Sequence, residues 1–142
     1  STGVVLAMLG AGVVVASPEG YGLPERTLAE GEPLKGSMRQ LSDPEEAVRG
    51  AHAIYTDTWI SMGQEAEADQ RRRIFADFRV DEALLAGADR EAIVMHCLPA
   101  VRDEEISASL MYDDRSAIWE QAENRLHAQK ALMLHLLRVV PR

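Results

Sequence analysis

Two short stretches gather side chains able to bind and transform a small polar molecule. In Asp57-Thr58-Trp59-Ile60-Ser61-Met62-Gly63 a carboxylate, a hydroxyl and the backbone beside a glycine fall on one turn. A carboxylate there can hold a ligand ammonium, while Ser61 and free turn amides can receive a ligand carboxylate. The competing role is structural, because Asp and Ser are favoured N-caps and a helical pattern follows. Trp59 is by default a packing residue.

The second stretch, His96-Cys97-Leu98-Pro99, ends an apolar run with an imidazole and a thiol before proline forces the chain to turn. A polar pair at a strand's carboxyl end is placed to meet a ligand. The alternative is burial, with Cys97 as a small hydrophobe and His96 as a satisfied core histidine. A protease-like Cys–His dyad is disfavoured, since neighbours on a strand point to opposite faces. No metal-ligand spacing surrounds the pair. In Glu123-Asn124-Arg125, Arg125 can offer its planar fork to a phosphate or carbonyl oxygen, or pair with a nearby acid at the surface. Arg71-Arg72-Arg73 follows several acids and reads as a solvated, charge-paired helix face without a functional role.

Both main stretches follow strand-like runs, HAIYT (His52 to Thr56) and AIVMHC (Ala92 to Cys97); GVVVAS (Gly12 to Ser17), Ser37 to Leu41 and Ser116 to Trp119 are the other strand candidates. Between them the pattern predicts helices over Ser1 to Ala11, from an Asp43 or Ser42 cap through Pro44 to about Gly50, Glu65 to Phe78, Asp81 to Ala86, Asp103 to Met111, and longest of all Gln121 to Val139. Residues 22–36, rich in Gly, Pro and Glu, predict a surface excursion with a helical turn near Glu25 to Ala29. Strands alternating with helices, several of them continuous apolar runs, predict a Rossmann-like three-layer α/β domain with a mostly parallel sheet and helices on both faces. Gly10 and Gly12 are no dinucleotide fingerprint, since they precede a strand and lack a third glycine at position 15.

With 142 residues and 46% hydrophobic content the chain can build one packed core. Its 15 basic and 23 acidic residues, formal charge -8, exclude the electrostatic footprint of a nucleic-acid binder. No window reaches the roughly 20 apolar residues that cross a bilayer, so no membrane role is expected. The single Cys97 forms no internal disulfide and no secretory signal opens the sequence, which points to a reducing cytoplasm.

Taken together, YTDTWISMGQE (Tyr55 to Glu65), MHCLPA (Met95 to Ala100) and QAENRLHAQKALM (Gln121 to Met133) resemble the ornithine carbamoyltransferase family in order and spacing, as do SDPEEAVRGA before the first of them and VRDEEISASLMYDDRSAIWE between the other two. The resemblance implies transfer of a carbamoyl group from carbamoyl phosphate to the δ-amine of L-ornithine, giving L-citrulline and phosphate in arginine biosynthesis without metal or organic cofactor. It implies that Asp57 binds the ornithine α-amino group, that Ser61 and Met62 contact the same substrate, that Cys97 accepts a proton near the reacting amine, and that Cys97, Leu98 and Arg125 contact carbamoyl phosphate. The Ser-Met-Gly turn favours ornithine over aspartate or putrescine.

The sequence departs from the family where Val101, Arg102 and Asp103 follow the Pro-Ala pair, and residues 22–36 look shortened. No Ser-x-Arg-Thr phosphate motif occurs, nor the Asp-Gly-Asn-Asn stretch that opens this domain in the family. Residues 1–142 are therefore expected to form the ornithine-binding second domain, truncated at its N-terminus, without the carbamoyl phosphate domain and inactive alone; the full-length family forms homotrimers. The sheet should lack a strand, and the final helix should expose part of its apolar face. The other reading is a noncatalytic amino-acid-binding or regulatory module derived from such an enzyme.

Overall fold

The computed structural model describes residues 2–31, 35–61 and 63–137. In chain order the elements are α1 (Thr2–Met8), β1 (Gly12–Ala16), α2 (Glu25–Gly31), β2 (Ser37–Leu41), α3 (Pro44–Val48), β3 (Ala53–Thr56), α4 (Ala68–Phe75), α5 (Glu82–Ala86), β4 (Ile93–His96) and α6 (Ile118–Leu136). Single 3-10 turns flank α4, so helical backbone runs from Glu65 to Phe78 as the spacing predicted.

Local chemistry explains several boundaries. Asp43 starts α3 by accepting from the amides of Glu45 and Glu46 at 2.9 and 3.1 Å, and Pro44 loses no helical donor in the first turn. Asp81 caps α5 through the amide of Leu84. After α3, Gly50 takes a φ of 70° that a side chain would oppose.

The strands pair in parallel, β1 with β2 and β3 with β4. Parallel pairing needs a long crossover, which α2 gives the first pair and α4 with α5 the second. Helices α1, α2 and α3 pack on the first pair, and α6 packs on β4. The apolar core gathers around the second pair: Ile54 and Val94 from the strands, Leu85 from α5, Ile118 from α6, and Val80, Ile106 and Leu110 from the connections. The parallel α/β architecture is the one the alternating pattern predicted.

Between β1 and β3 the sheet is interrupted. Among the described residues no ladder joins the pairs, and the two strand edges bound a cavity of about 980 Å³ lined by Gly12, Val14 and Ala16 on one side and Ala53 and Tyr55 on the other. Nor is α6 covered: Leu126, Leu132, Met133 and Leu136 are all exposed, and Ile118 alone is buried. No helix among the described residues is long and apolar enough to cross a membrane.

Two predicted elements are absent. Residues 103–111 form a turn and a 3-10 segment (Leu110–Tyr112) instead of a helix. Their backbone is spent elsewhere: Val80 donates to the Glu105 carbonyl at 2.9 Å and Ser107 to the Val80 carbonyl at 3.0 Å, while Asp103 sits at φ 63°. The predicted strand at Ser116 to Trp119 reduces to one parallel bridge between Ser116 and Val94. Ile118 is drawn into the core as the first residue of α6, so helix displaces strand despite the β-branched and aromatic side chains.

Candidate functional site

The register of β3 and β4 creates the site. Thr56 lies opposite His96, so Asp57 and Cys97 leave adjacent parallel strands at the same level. Side chains alternate, which puts Tyr55, Asp57, Met95 and Cys97 on one face and Ile54, Val94 and His96, all buried, on the other. The Cys97 thiol, the Asp57 carboxylate and the Tyr55 hydroxyl consequently lie close enough to shift one another's ionisation. Burial, then the nearby Asp57 carboxylate, push the thiol above its ordinary ionisation range, against a smaller downward pull from Tyr55. At neutral pH the group is therefore a thiol, not a thiolate. Tyr55 is itself raised, by burial first and then by Cys97, while Gln121 of α6 draws it down.

Capping does not explain the turn after β3. Asp57 Oδ1 accepts from the adjacent Thr58 amide at 2.7 Å, and Gln64, not Asp57 or Ser61, precedes the helical segment, without a side-chain cap bond. The turn amides are answered from downstream: Ser61 donates to Gln64 Oε1 at 3.2 Å and Gly63 to Glu65 Oε1 at 3.1 Å. They are not the free donors expected from the sequence. Gly63, at φ 88°, allows the reversal. Met62 lies outside the described residues. Asp57 and Ser61 line the cavity at the end of the strand gap.

Aromatic packing holds this turn from behind. Trp59 is buried against Phe75, with ring centroids 6.0 Å apart, and Phe75 meets the edge of Tyr21. Arg71 corrects the expectation of a solvated arginine face: its side chain is 16% exposed, lies over the Tyr21 ring and reaches the Trp59 carbonyl at 3.5 Å. Arg72 and Arg73 do face solvent, Arg72 pairing with Asp69 and Glu104.

After β4 the chain makes a tight loop. Leu98 has φ 54°, which costs a side-chain-bearing residue about 1–2 kcal/mol, and the Leu98–Pro99 peptide is cis. The Leu98 amide donates to His96 Nδ1 at 2.8 Å, His96 Nε2 lies 3.0 Å from Glu105 Oε1, and the Val101 amide donates to the same oxygen at 2.6 Å. His96 and Glu105 are both fully buried. Burial pushes the Glu105 carboxyl up, but bonds from His96 and the Val101 amide outweigh it and hold the group below its ordinary range. His96 is thus the satisfied core histidine of the plainer alternative, whereas Cys97 is half-buried on the face it shares with Tyr55 and Asp57.

From α6, Gln121 accepts from the His96 amide at 3.1 Å. Arg125, one turn on and on the same helix face, is exposed and makes no ion pair among the described residues; Glu123 faces His127 instead, at 3.7 Å. The structure therefore places Asp57 and Cys97 side by side at the ends of adjacent strands, keeps Ser61 and Leu98 on the loops beside them, and leaves Arg125 without an ion pair among the described residues on the neighbouring helix. Tyr55, Gln121 and Glu105 were not singled out from the sequence. Tyr55 was within reach, two residues before Asp57 on a strand of period 2; Glu105 was not, sitting in a segment read as helix. Among the described residues no three His, Cys, Asp or Glu side chains converge as a metal ion requires.

Comparison with known proteins identifies the family and the fold. The family model described as aspartate/ornithine carbamoyltransferase, Asp/Orn binding domain, matches residues 1–136. An ornithine carbamoyltransferase from Thermosynechococcus vestitus is 52% identical over 134 residues, covering 92% of this chain and 43% of that protein. The solved ornithine carbamoyltransferase from Pyrococcus furiosus superposes with a TM-score of 0.84 at 48% identity, over 90% of this chain and 42% of that one. An N-acetyl-L-ornithine transcarbamylase E92A mutant, complexed with carbamyl phosphate and N-succinyl-L-norvaline, gives a TM-score of 0.82 at 28% identity, over 96% of this chain and 43% of that one. The chain spans less than half the length of these relatives, and within that span it belongs to the aspartate/ornithine carbamoyltransferase family, as its Asp/Orn-binding domain.

Proposed function

We propose that this chain supplies the ornithine side of an ornithine carbamoyltransferase, acting with a carbamoyl phosphate domain that the 142 residues do not contain. The observation that carries the reading is the meeting of Asp57 and Cys97 at the ends of adjacent parallel strands. In the reaction the δ-amine of L-ornithine attacks the carbonyl carbon of carbamoyl phosphate. A C–N bond forms, the C–O bond to phosphate breaks, and the amine loses a proton, leaving L-citrulline and phosphate. Asp57 holds the α-ammonium, and Ser61 and Met62 contact the same substrate. Cys97 and Leu98 line the carbamoyl phosphate side with Arg125, whose unpaired guanidinium suits the leaving phosphate. Most of the acceleration comes from holding the two substrates in line and from charge on the phosphate side.

Cys97 is the proton acceptor in this scheme, and its raised ionisation sets a condition on it. Burial and the unneutralised Asp57 together keep the proton on the thiol. An ammonium arriving at Asp57 removes the opposing charge, so ornithine binding itself favours the thiolate. The reading extends to a homotrimeric assembly in the cytoplasm, working in arginine biosynthesis.

The test is to combine the chain with the carbamoyl phosphate domain of a relative and measure citrulline. Activity with L-ornithine is expected, with rejection of N-acetyl-L-ornithine, which offers Asp57 no ammonium. Ornithine binding that needs Asp57 but yields no citrulline would favour the noncatalytic amino-acid-binding module.

A further inference from the structure

We infer that His96 is a positioning residue for the Cys97–Leu98 loop, with its single proton on Nε2, and that it does not exchange protons with the Cys97 thiol. The inference rests on the proposed carbamoyl transfer only for what the loop is positioned to do. A backbone N–H can only donate, so the 2.8 Å contact from Leu98 requires a bare lone pair on His96 Nδ1. The ring proton then sits on Nε2, which donates to Glu105 Oε1 at 3.0 Å. Both ring nitrogens are spent. The ring is also fully buried and on the opposite strand face from Cys97. No nitrogen remains to reach the thiol.

What those bonds accomplish is placement. Nδ1 holds the amide of Leu98, the residue in the left-handed region, and Glu105 Oε1 holds the ring and the Val101 amide at once. The loop from His96 to Val101 is closed around the imidazole, and the directions of Cys97 and Leu98 follow from that closure. The charged group bonded to the ring is Glu105, from the turn after β4. The α6 helix contributes the neutral Gln121, bonded to the His96 backbone amide.

The test begins with ¹⁵N-histidine-labelled chain at the pH of the citrulline assay, the His96 signals being identified by their loss in His96→Asn. A bare Nδ1 and a protonated Nε2, unchanged by saturating ornithine, are expected. A proton on Nδ1, or a ring that changes protonation when substrate binds, overturns the inference. The second measurement is turnover with the carbamoyl phosphate domain. The Asn side-chain oxygen can take the Leu98 amide but cannot relay a proton, so His96→Asn should recover about tenfold of the kcat lost in His96→Ala. Equal loss in both variants, with both folded by circular dichroism, points to proton transfer and overturns it. If the unsubstituted chain makes no citrulline, the functional reading fails while the nitrogen spectrum still decides the role of His96.

Discussion

At Cys97, burial and the neighbouring Asp57 carboxylate act in one direction and the Tyr55 hydroxyl in the other. Alkylation rates measured against pH report the balance. The thiol should ionise above its ordinary range in the unsubstituted chain. Asp57→Asn should bring it part of the way back, because burial, the larger cause, remains, and Tyr55→Phe should raise it further. Saturating ornithine should act in the direction of Asp57→Asn, provided its ammonium sits against Asp57; no shift with ornithine would count against that placement. In the reconstituted enzyme, Asp57→Asn should raise the KM for ornithine about 10- to 100-fold, the worth of a charged hydrogen bond. Cys97→Ser should lower kcat by about 100-fold if the thiolate accepts the proton; a value close to the parent would assign that proton to solvent.

Among the elements, the short α3 depends on its cap. Asp43→Ala removes the acceptor for two amides and should cost about 1 kcal/mol in urea unfolding, with Asp43→Asn costing much less. What was legible in the sequence follows the same logic of local signals. β1, β3 and β4 announce themselves as β-branched and apolar runs, and α3 by its Asp-Pro start. Asp57 and Cys97 were legible as well, because each ends such a run. Residues 103–111 were misread because their helical periodicity is overruled by partners far along the chain: Val80 takes the backbone of 105–107, and His96 takes the Glu105 side chain. Nothing within a local window records those demands. The half-buried Arg71 was misread for the same reason, its face of the helix being settled by Tyr21, 50 residues upstream.

For the molecule as a whole, Glu105 links pH to stability. Its folded-state ionisation lies below the ordinary value, so its contribution is fully present above the ordinary carboxylate range and is lost as pH falls through the lower, folded value. Glu105→Ala strands the His96 N–H and the Val101 amide in the core and should cost about 3 kcal/mol at neutral pH, with a weaker acid dependence than the parent. Glu105→Gln keeps the acceptor and should retain most of the stability; equal losses would show that charge, not bonding, is what the core requires. The uncovered Leu132 and Leu136 of α6 should drive self-association of the isolated chain, and Leu132→Glu with Leu136→Glu should reduce it in light scattering without lowering the unfolding midpoint.

The interrupted sheet divides the chain's cooperativity. β3 and β4 bury Ile54, Val94 and His96 beside the main core, whereas no residue of β1 or β2 is fully buried. A two-stranded ribbon of that kind is marginal by itself. Amide hydrogens of the β1–β2 ladder should therefore exchange with solvent deuterium through partial openings, well before those of the β3–β4 ladder, which should wait for global unfolding. The half that bears Asp57 and Cys97 would then outlast the other as a folded unit.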